Sequence, residues 1–264
     1  MPWLAPPRLP SPHRSPDLLI RAALILAVIP PYVVLASLVG YPLARLLGSP
    51  ALLYKLGRLG SRVMLFIAGT RLVVEGKERF ADTRNVVVMP NHVSQLDAPV
   101  VALTLGIDFK AVVKTELYRT PFFGYCLRYA GFIEVDRKHP EQSRPAIGAA
   151  VASLKRGNCF LIFPEGTRTK TGRLGEFRKG GFVVAAEAGS RILPVAISGI
   201  RELLPRGGFS VKPGTVTVRV LDPVDAGGYS YDDRDRLIAE VRGRIAAALG
   251  EGASGGGADG TARA

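Results

Sequence analysis

The stretch NVVVMPNHVSQLDAPVVALTL, Asn85 to Leu105, decides how the rest of the chain reads. An apolar run reaches Pro90, the chain turns polar over NHVSQLD (Asn91–Asp97), and an apolar segment resumes until Gly106. Proline cannot donate to a strand ladder, so Pro90 marks the end of a strand. LDAPVVALTL then predicts a helix. The unit is therefore strand, polar turn, helix, and it recurs on both sides. RLVVEG, FKAVVK, GFIEV, CFLIFP, ILPVAI and the strictly alternating TVTVRV predict strands. Helices are expected around Arg144–Arg156, at FVVAAEAG before Gly189, and over Asp232–Leu249. Strands alternating with helices define an α/β domain whose sheet is buried on both faces. This domain is expected over residues 71–249, in a chain with no internal repeat.

The 264 residues suffice for one domain and an appendage. Hydrophobic residues make up 47%, mean hydropathy is +0.19 and net charge is +13. A basic, apolar chain points to nucleic acid or to an anionic membrane surface. Aromatic-interleaved basic motifs and zinc-finger spacings are absent, which argues against nucleic acid. Cys126 and Cys159 fit neither a metal site nor a disulfide framework, and Cys159 reads as core.

The appendage is expected over residues 18–70, a membrane-associated helical segment. From Ala22 to Gly40 no residue is charged, close to the length that spans a bilayer. A cleaved signal peptide is disfavoured: the apolar part is long and no clear A-x-A site follows. Pro30-Pro31 leaves a kinked span or re-entrant pair as open as a straight helix. ALLYKLGRLGSRVMLFIA (Ala51–Ala68) carries Lys55, Arg58 and Arg62 among leucines, which suits a helix lying in the interface; a core-facing amphipathic helix is the alternative. The slight basic excess after the apolar run favours a catalytic domain on the cytoplasmic face. The Pro-rich residues 1–17 and the Gly-rich tail 250–264 are expected to be disordered.

Two polar hinges carry the candidate chemistry. In the first, Ser94 and Asp97 resemble a capping box with Ser94 as N-cap, and His92 is then an ordinary turn residue. On one continuous helix His92 and Asp97 would lie about 140° apart. With His92 in the turn and Asp97 in the first helical turn, the carboxylate can accept the imidazole N–H and leave the other nitrogen as a base. The second hinge is FPEGTRT (Phe163–Thr169). Gly166 permits close backbone approach, and Thr167 and Arg168 can donate to phosphate. Between Arg137 and Lys212 there are 14 Lys/Arg against 5 Asp/Glu, a face suited to an anionic substrate.

NHVSQLD, GFIEVDR (Gly131–Arg137), FPEGTRT and ILPVAI occur together in this order over about Leu72 to Val224. In this the chain resembles the glycerolipid acyltransferases of the 1-acyl-glycerol-3-phosphate acyltransferase (PlsC-like) type. The resemblance implies a mixed sheet flanked by helices. It implies His92 as general base, with Asp97 orienting it. Arg137, Glu165, Gly166, Thr167 and Arg168 would hold the acceptor phosphate or shape its pocket, Glu165 by orienting Arg168 or the loop. Pro194 would help form the acyl-donor side. The implied donor is acyl-CoA or acyl carrier protein, the acceptor a lysophospholipid, and membrane lipids are partners; no metal and no cofactor are implied. Val93 departs from the common N-H-Q-S pattern. That variant resembles branches acylating other lyso-lipids, such as lyso-ornithine lipid. The rivals are a serine esterase, whose G-x-S-x-G occurs only at Gly252–Gly256 in the tail, and a non-catalytic membrane- or carrier-binding protein.

Overall fold

The computed structural model describes residues 16–80, 82–135, 144–203, 211–229 and 233–251. Two helices lead: α1 (Pro16–Leu46) and α2 (Ala51–Ala68). The strands are β1 (Thr70–Glu75), β2 (Val86–Pro90), β3 (Phe109–Lys114), β4 (Ile133–Val135), β5 (Cys159–Leu161), β6 (Arg191–Ser198), β7 (Gly214–Val220) and β8 (Val224–Asp225). They form one mixed sheet in the order β1-β7-β6-β2-β5-β3-β4, with β8 on β6. β6 runs antiparallel to β7 and β8; the other pairs are parallel. Between and after the strands lie α3 (Asp97–Leu105), α4 (Thr115–Tyr118), α5 (Phe123–Tyr129), α6 (Arg144–Lys155), α7 (Lys179–Glu187), α8 (Ile200–Leu203) and α9 (Arg234–Leu249).

The sheet is covered on both faces, as the apolar runs require. Side chains alternate along a strand, so β2 sends Val86 and Val88 to one face and Val87 and Met89 to the other. The first face packs on α2 and α3 through Leu65, Val100 and Val101. The second packs on α6, α7 and α9 through Leu154, Phe182 and Val241. Cys159 joins the first core, and burial pushes its thiol up to about 12.

Several sequence expectations need correction. α1 is one continuous helix that runs through Pro30, Pro31 and Pro42. It is long and apolar enough to cross a membrane, yet it folds back antiparallel against α2: Arg21 donates to Ile67 O (2.9 Å) and the Tyr32 hydroxyl to Leu56 O (2.7 Å). α2 is neither purely core-facing nor purely interfacial. Leu65 and Ala68 are buried against the domain, whereas Leu59 and Phe66 point outward. CFLIFP gives a strand only to Leu161, because the chain leaves the ladder to build the second hinge. The pattern also passed over α4, α5, α8 and β8, each too short to show a period. Of the termini expected to be disordered, Pro16 and Asp17 open α1 and Gly250 caps α9, while residues 1–15 and 252–264 lie outside the described residues.

Phe160 is fully buried in β5, between β2 and β3. Phe160→Ala should therefore destabilise the domain by about 3–5 kcal/mol in denaturant titration. A loss near zero would show that this face is not close-packed.

Candidate active site

β2 and β5 are parallel neighbours, so the loops leaving their carboxyl ends meet at one edge of the sheet. In α/β sheets that edge is where ligands bind. The first hinge leaves β2 there. Asn91, buried, clamps it to β6: its Oδ1 accepts from Ile197 N–H (2.7 Å) and its Nδ2 donates to Ile197 O (3.0 Å). α3 begins at Asp97, not after Ser94, so Ser94 is not its N-cap. The Ser94 hydroxyl instead accepts from Leu96 N–H at 3.3 Å. The carboxylate reaches back across the turn. Asp97 Oδ2 accepts from Val93 N–H (2.8 Å) and Ser94 N–H (2.9 Å), and lies 2.7 Å from His92 Nδ1. An oxygen already taking two backbone donors meets Nδ1 as a third donor, which leaves the His92 Nε2 lone pair free. One oxygen thus holds both the turn and the imidazole, while α3 itself carries no side-chain cap.

Asp97 is fully buried, while the His92 side chain keeps 19% of its exposure. The imidazole stacks on Phe163, ring centroids 4.0 Å apart. It faces a cavity of about 920 Å³. Its polar lining includes Gln95, Lys114, Arg168 and Arg178, with Arg58 from α2; its many apolar lining residues include Val33 and Met64 from the helical pair and Phe123 and Leu127 from α5. Pockets for apolar ligands have this form, greasy walls with few polar groups.

The second hinge is tied to the first by Glu165. Its Oε1 accepts from His92 N–H (2.7 Å) and its Oε2 from Gly175 N–H (3.0 Å). Thr169 N–H donates to His92 O (2.9 Å). Glu165 is thus bound to backbone amides, which is the loop-holding alternative of the two that the sequence left open. Burial raises its carboxyl above the ordinary value, opposed by the two amides that favour the charged form. Gly166 has φ 70°, and a Cβ there would fall 2.7 Å from Arg178 Cδ. Only glycine lets the Arg178 side chain lie under this turn.

The other predicted positions are placed unequally. Gly166 and Arg168 line the cavity. Thr167 is exposed and off the cavity wall, and Pro194 is buried mid-strand in β6 opposite Met89, also away from it. Arg137 lies outside the described residues. Sequence reading missed Asn91, Lys114 and Arg178. Lys114 closes the strand pattern FKAVVK, and a strand's carboxyl end was its only signal. For Arg178 the signal was the basic excess of the region.

An imidazole paired with a buried carboxylate, cationic side chains and many apolar side chains thus line one cavity of about 920 Å³. An acyltransferase family model matches residues 56–198, more than half of the chain, and the chain belongs to that family. It is 33% identical over 182 residues to the chloroplastic 1-acyl-sn-glycerol-3-phosphate acyltransferase LPAT1 of Arabidopsis thaliana, covering 68% of this chain and 49% of that protein. It is 32% identical over 186 residues to the 1-acyl-sn-glycerol-3-phosphate acyltransferase of Pseudomonas aeruginosa, covering 70% of each. The chain thus spans about half the length of its chloroplastic relatives. The crystal structure of the 1-acyl-sn-glycerophosphate acyltransferase PlsC from Thermotoga maritima superposes with a TM-score of 0.72 at 25% identity, covering 91% of this chain and 97% of that one.

Glu165 gives a test of the link between the hinges. Its folded-state proton affinity is raised, so its contribution to stability is full below the ordinary carboxylate range and is lost as pH rises through the folded value. Glu165→Gln removes that titration, and melting temperature should vary less with pH across this window. The variant should also melt lower throughout, by about 1–3 kcal/mol of stability, because an amide NH₂ cannot accept from Gly175 N–H. An unchanged pH slope would assign the dependence to another group.

Proposed function

We propose that the protein transfers a fatty acyl group from a thioester, carried on coenzyme A or on acyl carrier protein, to the free hydroxyl of 1-acylglycerol-3-phosphate, giving phosphatidic acid. The observation that carries this reading is the 2.7 Å His92–Asp97 contact at a largely apolar cavity. His92 Nε2 takes the hydroxyl proton as the oxygen attacks the thioester carbonyl carbon. When the tetrahedral centre collapses, the C–S bond breaks and His92 returns the proton to the departing thiolate. No acyl-enzyme and no cofactor enter. General-base assistance of this kind contributes about 10² to 10⁴-fold. The names of the relatives support the acceptor, and so does the rim. Arg168 supplies a planar fork for phosphate, with Lys114 and Arg178 beside it. Arg137 would add to it by family resemblance. Val93 does not speak for another lyso-lipid: it is buried in the core under α3 and does not line the cavity.

The helical pair supports peripheral attachment to the membrane. The two ends of α1 are both held to the body of the protein. Arg21 reaches Ile67 O beside β1, and Ala44 O accepts from the Tyr129 hydroxyl at 3.1 Å. A helix of 31 residues, about 46 Å long, that is pinned at both ends fits lying in one leaflet better than crossing the bilayer. The basic residues on α2 fit an anionic cytoplasmic surface.

His92→Ala should reduce thioester turnover with lysophosphatidic acid by more than about 10²-fold while leaving the protein folded. Activity above a tenth of wild type would end the base assignment and leave a membrane- or carrier-binding protein. Asp97→Asn should be as severe, since an amide cannot fix the tautomer. Arg168→Ala should lower kcat/KM by about 10 to 150-fold, from loss of a charge-assisted contact of roughly 1.5–3 kcal/mol. The loss should appear in the acceptor's KM and be small for an acceptor without phosphate, such as lyso-ornithine lipid. Equal losses on both acceptors would make Arg168 a loop-holding residue. A change confined to the donor's KM would place it on the coenzyme or carrier.

A further inference from the structure

After β3 the chain makes a tight elbow of α4 and α5. The two cross so closely that a Cβ on Gly124 would meet Tyr118 O at 2.1 Å. Between them Phe122 has φ 60° and ψ −52°, a conformation unfavourable for any side chain with a Cβ. The elbow does not use this strain to bury the ring. Phe122 is 47% exposed and Tyr125 51%, whereas Leu117 lines the cavity. The elbow's inner side is different: Phe123, Cys126 and Leu127 form a wall of the cavity.

The outer side has a definite chemistry. Arg119 and Arg128 are exposed there against exposed Glu116 and half-buried Glu134, which lies 4.0 Å from Arg119. The Arg128 guanidinium lies over the rings of Tyr118 (4.9 Å) and Tyr125 (5.5 Å). The surface continues onto α1, where Tyr41 packs on Tyr125 with centroids 5.7 Å apart and Leu38 is exposed. An apolar centre ringed by tyrosine and arginine, continuous with the long apolar helix, is the composition of a protein's membrane–water boundary.

We propose that the α4–α5 elbow is a second membrane-contact surface. It seats Phe122 and Tyr125 among the acyl chains of an anionic bilayer beside α1 and sets Arg119 and Arg128 against lipid phosphates. The strained backbone at Phe122 holds the ring outward for that contact. Nothing in this depends on acyl transfer, so it stands or falls apart from the function proposed above.

The test uses the full chain with its single tryptophan, Trp3, replaced by Phe, and Phe122→Trp as the reporter. In vesicles of mixed phosphatidylglycerol and phosphatidylcholine, emission should shift to the blue and be quenched roughly twofold or more by brominated acyl chains. Ala239→Trp in the same background, exposed on α9 over the opposite face of the sheet, should remain unquenched. Adding Arg119→Glu to the Phe122→Trp protein should weaken its quenching in anionic vesicles and leave it unchanged in purely zwitterionic ones. A water-like, unquenched emission from the Phe122→Trp reporter overturns the proposal. So does equal quenching at both reporter positions, which would mean unspecific adsorption. Indifference to Arg119→Glu in anionic vesicles overturns the phosphate contact.

Discussion

One buried carboxylate oxygen organises the edge of this sheet. Asp97 Oδ2 accepts from two backbone amides of the turn and from the His92 ring. A carboxylate with no solvent contact is costly unless its charge is met by donors; all three act on Oδ2, while Oδ1 is buried without a hydrogen-bond partner. The same bonds bend the turn into the shape that brings a residue five positions back into reach. The stability of the turn and the orientation of the imidazole therefore cannot be separated. A change at Asp97 acts on both, which is why a conservative amide, similar in shape, is more informative there than alanine.

The second tie is longer in sequence and acts on top of the first. Glu165 joins His92 N–H to Gly175 N–H, so the loop after β5 and the loop after β2 move as one unit. With Thr169 N–H on His92 O, both faces of the His92 peptide are held by the second hinge. The rim cations Arg168 and Arg178 ride on that hinge, at a fixed distance from the base. In the acyl transfer proposed above, the charged end of the acceptor is gripped while its hydroxyl meets the imidazole, and this coupling would supply the register. In that proposal the apolar lining of the cavity would take the chain, and the polar groups at the strand ends the headgroup.

Much of this was legible in the sequence. Apolar runs ending at prolines gave β2 and the approximate path of β5, and the alternation in TVTVRV gave β7. His92, Asp97, Gly166 and Arg168 could be singled out as candidates because residue type, spacing and strand-end position agree. The miscast residues fail for identifiable reasons. Ser94 looked like a cap because local patterns assign caps by position, whereas here a side chain from within the helix satisfies the turn's amides. Pro194 looked like part of the site because its motif adjoins the others in sequence order, whereas strand pairing puts it mid-sheet. Lys114 and Arg178 carry no local signature, since what makes them rim residues is the convergence of three separate chain segments.

Local pattern was enough for the periodic elements, the apolar leader and the two polar hinges, because those depend on residues within a few positions of one another. Residue type was enough to mark which groups could act as base and as anion-binding fork. Long-range packing alone settled that α1 folds back on α2 and is pinned at both ends. It also settled that β5 lies beside β2, so that the two hinges face each other, and that Glu165 binds amides instead of a cation. Each of these rests on contacts between residues far apart in the chain. Such contacts are selected by how the whole apolar surface is buried at once, and no local pattern encodes them.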